Sequence, residues 1–458
     1  MSLLVPIVMF GWIPVVLGLF SKLPPRRAVI SSFLVAWLFL PMAAYPLPGL
    51  PDYTKMSATC WGVFIGAAIF DNKRILSFRP KLIDIPMIIW CLCPLASSLA
   101  NNLGIYDGFS AVLDQTVTWG FPYIIGRLYF NDLESLQEFA VGILIGGLIY
   151  IPLCLYEIRM SPQLHSMFYG FTQHSFAQTI RSGGYRPMVF MEHGLMVGIW
   201  MISASFIGVC LWVSGVLKKL WNIPMVWLAS TLIFTSILCK STGATILFIV
   251  GICIFYATRK LNTKILILIL ILIPAVYLPL RASGTWNGYG LTDFIYNNFS
   301  KERALSLYTR FYNENALSSK ALEKPLFGWG RWGRSRIYDE NGSDASITDS
   351  RWVITLGENG LTGLISLTLT LLLPIIILLR SYNIKDWFGT KIAAASSLAI
   401  LLGIYMIDNL VNAMTNPIFM VTAGGIISLV KEPLSAGKYS IEPIDEAWES
   451  LNFQPRFL

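Results

Sequence analysis

The chain has 458 residues, 55% of them hydrophobic and 13% charged, with a mean hydropathy of +0.61 and a formal net charge of +8. That leaves too little polar residue to coat several soluble domains, and the composition predicts an integral membrane protein. The positive excess is explained by basic flanks that meet anionic lipid, and it calls for no nucleic-acid partner.

About thirteen apolar segments follow in chain order, near 2–20, 28–44, 56–70, 82–99, 111–126, 137–157, 188–214, 223–239, 243–257, 264–280, 352–379, 392–413 and 414–430. Several are shorter than the roughly 20 residues that a spanning helix needs, so the expected fold is all-α with twelve to fourteen transmembrane helices. The first segment lacks a basic flank and a small-residue cleavage site, and reads as a retained span. With the N-terminus outside, one set of alternate loops carries nineteen Lys and Arg, among them Arg26, Arg27, Arg74, Arg127 and Arg259. The other set, apart from the long 281–351 segment, carries Lys55, Arg159, Arg181, Arg186 and Lys240 alone. Short basic loops stay cytoplasmic, so 158–187 and 281–351 are expected outside. The organisation is therefore one polytopic domain, 1–430, with two long outer segments, followed by a polar tail, 431–458, expected in the cytoplasm. No internal repeat is evident. All seven cysteines lie in or beside apolar segments, which argues against disulfides and zinc.

Chemistry is sought where ionisable residues enter or edge the membrane, because they are costly there and mark a site or a buried pair. In GYRPMVFMEHG, Arg186 precedes Pro187, and proline favours the first turn of a helix. The spacing predicts a span starting here, with His193 on nearly the same face roughly 10 Å deeper and Glu192 on a neighbouring one. The same arginine could instead snorkel to lipid headgroups. Lys240 and Ser241, in CKSTGA, fall at a very short outer turn where a cation, hydroxyls and a helix start suit a phosphate; a plain hairpin turn is the alternative.

The 281–351 segment holds Arg281, Arg303, Arg310, Arg331, Arg334, Arg336 and Arg351 against three lysines, and arginine's planar fork suits bidentate contact with phosphate. Its eight acidic residues could pair with many of these arginines. Within it, residues 293–324 predict an amphipathic helix ending before Pro325, and PLFGWGRWGRSR has a turn-forming composition. Asp349 stands at the membrane edge beside the next span, as a base or as an ordinary helix cap. Trp329, Trp332 and Tyr338 suit stacking on sugar rings or anchoring at the interface. The first outer loop carries only Asp52, so the acidic pair of metal-dependent membrane glycosyltransferases is absent.

The ordered set PYIIGR (122–127), GGYRPMVFMEHG (183–194), CKSTGA (239–244), PLFGWG (325–330) and DSRWVITLGENGLTG (349–363) resembles the O-antigen ligase and polysaccharide-polymerase superfamily. The resemblance covers most of residues 110–370. It implies a GT-C-type helical fold in the bacterial inner membrane, with the active site facing the periplasm or exterior. It further implies transfer of a glycan from an undecaprenyl-diphosphate carrier to a glycan acceptor, without metal, nucleotide sugar or other cofactor. Arg186 matches the arginine expected to bind the carrier diphosphate, Lys240 with Ser241 the second cation-bearing turn, and Arg310 the loop arginine before the P-x-x-G-x-G stretch. Ligases acting on lipid A carry a histidine after that stretch, whereas this chain has Asp349 and Ser350, which favours a polymerase.

On that reading Asp349, Arg186 and Arg310 are catalytic. Lys240, Ser241, Glu192, His193, Arg331 and Trp329 bind substrate, and no residue binds metal. Expected partners are membrane lipids, the lipid-linked donor, the glycan acceptor, and a chain-length regulator and flippase of the same pathway. The alternatives are a ligase, a transporter or flippase of lipid-linked or anionic cargo, and a peptidoglycan polymerase. Transport favours internal repeats and mid-membrane charges, and the sequence shows no repeat.

Overall fold

The computed structural model describes residues 2–181 and 183–429. The tail assigned to 431–458 lies outside the described residues, with Lys431, Lys438 and Arg456 of the charge pattern. The described chain is mostly helical, with three short two-stranded hairpins. Seven helices are long and apolar enough to cross a membrane: Leu4–Lys22, Leu82–Ala100, Leu133–Met160, Gly194–Val213, Thr242–Leu261, Ile265–Ala282 and Arg351–Ser381. Four shorter apolar helices accompany them, Lys55–Phe70, Met225–Leu238, Ala393–Asp408 and Pro417–Ile427. Each apolar segment of the sequence is helical over most of its length. Segment 111–126 is divided by a π turn at Thr116–Gly120.

Local chemistry sets the helix starts. Pro25 and Pro417 open helices with a backbone angle already fixed. Thr54 with Ser57, and Asp132 with Ser135, form reciprocal capping boxes that satisfy otherwise orphaned N–H groups. Helix Gly194–Val213 is buried along nearly its whole length. It packs against Leu133–Met160, Met225–Leu238, Thr242–Leu261 and Ala393–Asp408. Apolar helices gain little from hiding among lipid tails, so their association depends on close approach. Phe121–Tyr129 and Pro417–Ile427 meet backbone to backbone: a Cβ on Gly424 would stand 2.0 Å from Tyr123 O.

Side chains tie the connecting loops together in two sets. Arg26 pairs with Asp132, Arg127 Nε lies 3.0 Å from Asp84 Oδ1, and Arg74 donates to Leu128 O at 3.2 Å. In the other set, Lys55 donates to Phe190 O (2.7 Å), Asn101 to Gly328 O (2.8 Å), Arg186 to Lys240 O (3.3 Å) and Arg310 to Val411 O (2.6 Å). Each bond joins loops that the charge pattern puts on one side, as alternate crossing by the intervening helices requires.

The long 281–351 segment departs from its expectation. Residues 293–324 do not form one helix but belong to two, Tyr289–Asn298 and Lys301–Ala321, because Ser300 leaves helical geometry and caps the second through the Arg303 N–H. Arg281 is structural: 1% exposed, it pairs with Glu314 at 2.7 Å, donates to Asn315, and lies over the Phe311 ring. Removing either partner would strand a buried charge, at a cost of about 3–5 kcal/mol. Helix Arg351–Ser381 is broken at Gly360 (φ 64°, ψ −162°). Pro325–Gly330 runs into the break: Leu361 N–H bonds Pro325 O, Thr362 N–H bonds Leu326 O, and Trp329 and Gly330 N–H bond Gly357 O and Glu358 O.

Candidate functional site

The expected helical start at Arg186 is corrected by the structure. Residues 186–193 are non-helical, and the helix begins at Gly194, with His193 Nδ1 accepting from Leu195 N at 3.1 Å. The reason lies in backbone accounting, since a buried irregular segment must find partners for every N–H and C=O. Glu157, at the end of the preceding long helix, accepts from Met188 N (2.8 Å) and Val189 N (2.7 Å) through one oxygen and from Leu164 N (2.9 Å) through the other. Tyr150 OH takes Phe190 N, Lys55 donates to Phe190 O, and Gln173 donates to Val189 O and Met191 O. These side chains outbid the helix for residues 188–191.

This segment presents Arg186. Its stem lies across the first turn of the next helix, where a Cβ on Gly194 would stand 2.2 Å from Arg186 Cδ. Its Nη2 donates to Lys240 O, and its buried Nε has no partner among the described residues. Burial, and then the positive charges of Arg181 and Arg310, lower its pKa to about 10. Burial together with His174, Arg186, Arg181 and Arg310 lowers that of His193 to about 4. The His174 and His193 rings stand 4.9 Å apart. Arg310, from helix Lys301–Ala321, thus lies within electrostatic reach of Arg186 and His193 from more than a hundred residues further along the chain. Among the described residues Arg310 pairs with Asp349, but no carboxylate lies within ion-pair distance of Arg186 or Arg181, so the cluster keeps a net positive charge.

Lys240, at φ 51°, donates to Arg181 O at 3.2 Å. Ser241 is buried, with its side chain facing Gly198 of the central helix. His193 Nε2 stands 3.1 Å from Gln178 Oε1. With Nδ1 accepting at the cap, Nε2 carries the proton and donates, leaving no lone pair free for base chemistry. Glu192 is exposed and within electrostatic reach of Arg351.

Asp349 is the carboxylate paired with the cluster's Arg310. Its Oδ2 lies 3.4 Å from Arg310 Nε and its side chain is 41% exposed. Asn412 helps fix Arg310 at 3.3 Å and is itself bonded to Asp408 at 2.7 Å. Ser350, not Asp349, occupies the cap position of helix Arg351–Ser381. Arg331 and Trp329 lie apart from this cluster. Arg331 pairs with Asp114 and lies 3.8 Å from Glu358, while Trp329 donates to Lys320 O (2.8 Å) under the Lys324 ammonium, 4.1 Å from its ring centre. Sequence reasoning marks Asp114 and Glu157 only as charges near span ends that a transport path could use; it misses Gln173, Gln178 and Asn412, since there is no local signal for a partner so far along the chain.

Among the described residues, no three of His, Cys, Asp and Glu are grouped to hold a metal ion. What the cluster can hold is a multivalent anion, through arginine forks that suit phosphate oxygens. The fold is that of a mostly helical membrane protein with a cationic seat where several loops converge. No known protein family matches this chain, and no curated protein is significantly similar to it.

Proposed function

We propose that the chain is a polysaccharide polymerase of the GT-C type, joining undecaprenyl-diphosphate-linked glycan repeats at the outer face of the bacterial inner membrane. The observation that carries the reading is the convergence of Arg186, Arg181 and Arg310 on one anion-ready seat, with Asp349 held against Arg310. An acceptor hydroxyl oxygen attacks the anomeric carbon of the donor. The bond from that carbon to the diphosphate breaks with inversion, the lipid diphosphate leaves with the electron pair, and Asp349 takes the hydroxyl proton. Arg186 and Arg310 meet the charge that grows on the departing diphosphate. Fixed donors of this kind contribute about 10²–10³-fold to rate each. Asp349 needs hydrogen-bond reach before it needs an unusual pKa.

The test is to delete the gene in its host, extract carrier-linked glycans, and weigh them by mass spectrometry beside cells complemented with wild type or Arg186→Ala. Single repeat units should accumulate in the deletion, and Arg186→Ala should leave them in place. Long finished chains on the carrier would turn the reading to a ligase. An unchanged carrier-linked pool would sink it and favour transport.

A further inference from the structure

Beyond the arginine seat, a separate pocket of about 290 Å³ opens between the helix carrying Asp114 and the loop after Gly330. Asp114, Arg331, Trp332, Arg336, Thr348 and Glu358 line it, Arg336 being already paired with Asp344. Two carboxylates share one guanidinium here: Arg331 pairs with Asp114 and stands 3.8 Å from Glu358 Oε2, and both carboxylates remain partly exposed. A phosphate would be repelled by the second carboxylate. A neutral polyol would not, since its hydroxyls donate to carboxylate lone pairs and accept from the arginine. At the mouth stands Trp332, 57% exposed and at φ 65°. A bulky residue in left-handed backbone is strained, and such strain gathers at ligand clamps. The volume lies just under the roughly 300 Å³ lower end of ligand pockets, fitting a small polar ligand.

We infer that this pocket is a pyranose-binding subsite, in which Trp332 stacks on the C–H face of the ring and Asp114, Glu358 and Arg331 bond its hydroxyls. Thr348 lines the pocket and the next residue, Asp349, pairs with Arg310. A sugar bound here therefore contacts the residue next to Asp349 in the chain. Its assignment as the acceptor subsite rests on the polymerase reading; the binding of a pyranose does not.

The experiment is saturation-transfer NMR on the full-length protein in nanodiscs. The probes are the methyl pyranosides of glucose, galactose, mannose, rhamnose and N-acetylglucosamine. At least one should receive saturation, at least fivefold less with Trp332→Gly, and recover it with Trp332→Phe. Glycine accepts the left-handed backbone at no cost, so Trp332→Gly removes the ring while relieving strain, and its fold is checked by thermal midpoint. If no glycoside receives saturation, or if Trp332→Gly leaves the transfer unchanged, the subsite is refuted. Binding in a protein whose deletion leaves carrier-linked glycans unchanged would keep the subsite and remove the polymerase reading. Accumulated repeats without glycoside binding would do the reverse.

Discussion

His193 shows how one side chain serves both fold and site. Its Nδ1 caps the central helix, while four neighbouring basic groups and burial hold its pKa near 4. The folded state therefore binds fewer protons than the unfolded one between pH 4 and the ordinary value of 6.5. Its stabilisation is complete above pH 6.5 and is lost as pH falls towards 4. Asparagine retains a capping oxygen but does not titrate. The thermal midpoint of the purified wild type should thus fall more steeply over that window than that of His193→Asn, and parallel profiles would contradict the assignment. Sequence spacing pointed to Arg186 and His193 as neighbours, but for the wrong reason. It placed them on a single helix, whereas Glu157 and Lys55, invisible to local pattern, hold the intervening backbone out of helical form.

At the scale of elements, the break at Gly360 joins the 281–351 segment to the membrane-crossing bundle. Hydropathy reads 352–379 as one span because a break that keeps its apolar faces does not disturb composition. The glycine content of PLFGWG signalled a turn, yet nothing in it told that its carbonyls would serve N–H groups freed 36 residues later. A Cβ at Gly360 would lie 2.5 Å from Leu326 C and O, in backbone geometry open to glycine alone. Gly360→Ala should cost about 3 kcal/mol or more, seen as a lowered thermal midpoint in detergent; an unchanged midpoint would show that the loop does not brace the helix. The helix over 301–321 was legible in the sequence, but the break at Ser300 and the Arg281–Glu314 pair were not, since the pair joins residues whose proximity only the folded loop creates.

For the whole molecule, the apolar segments were the most legible feature, because hydrocarbon demands long apolar helices whatever their packing. Loop charges added sidedness, and the hydrogen bonds between loops follow the same alternation. On the proposed orientation, with Cys253→Ser removing the one exposed thiol, Asn341→Cys should react with an impermeant maleimide on intact spheroplasts. Arg79→Cys should react only after permeabilisation, and labelling of both from one side would overturn the topology. The backbone of residues 188–191 has a further consequence in time. Lys55, Tyr150, Glu157 and Gln173, which satisfy it, all come earlier in the chain, and Lys240, on which Arg186 rests, follows soon after. Chains assemble from the N-terminus as they are made. Translation thus delivers a finished seat for Arg186 before Arg310 and Asp349 exist, and the ribosome itself sets the order in which the two halves of the site meet.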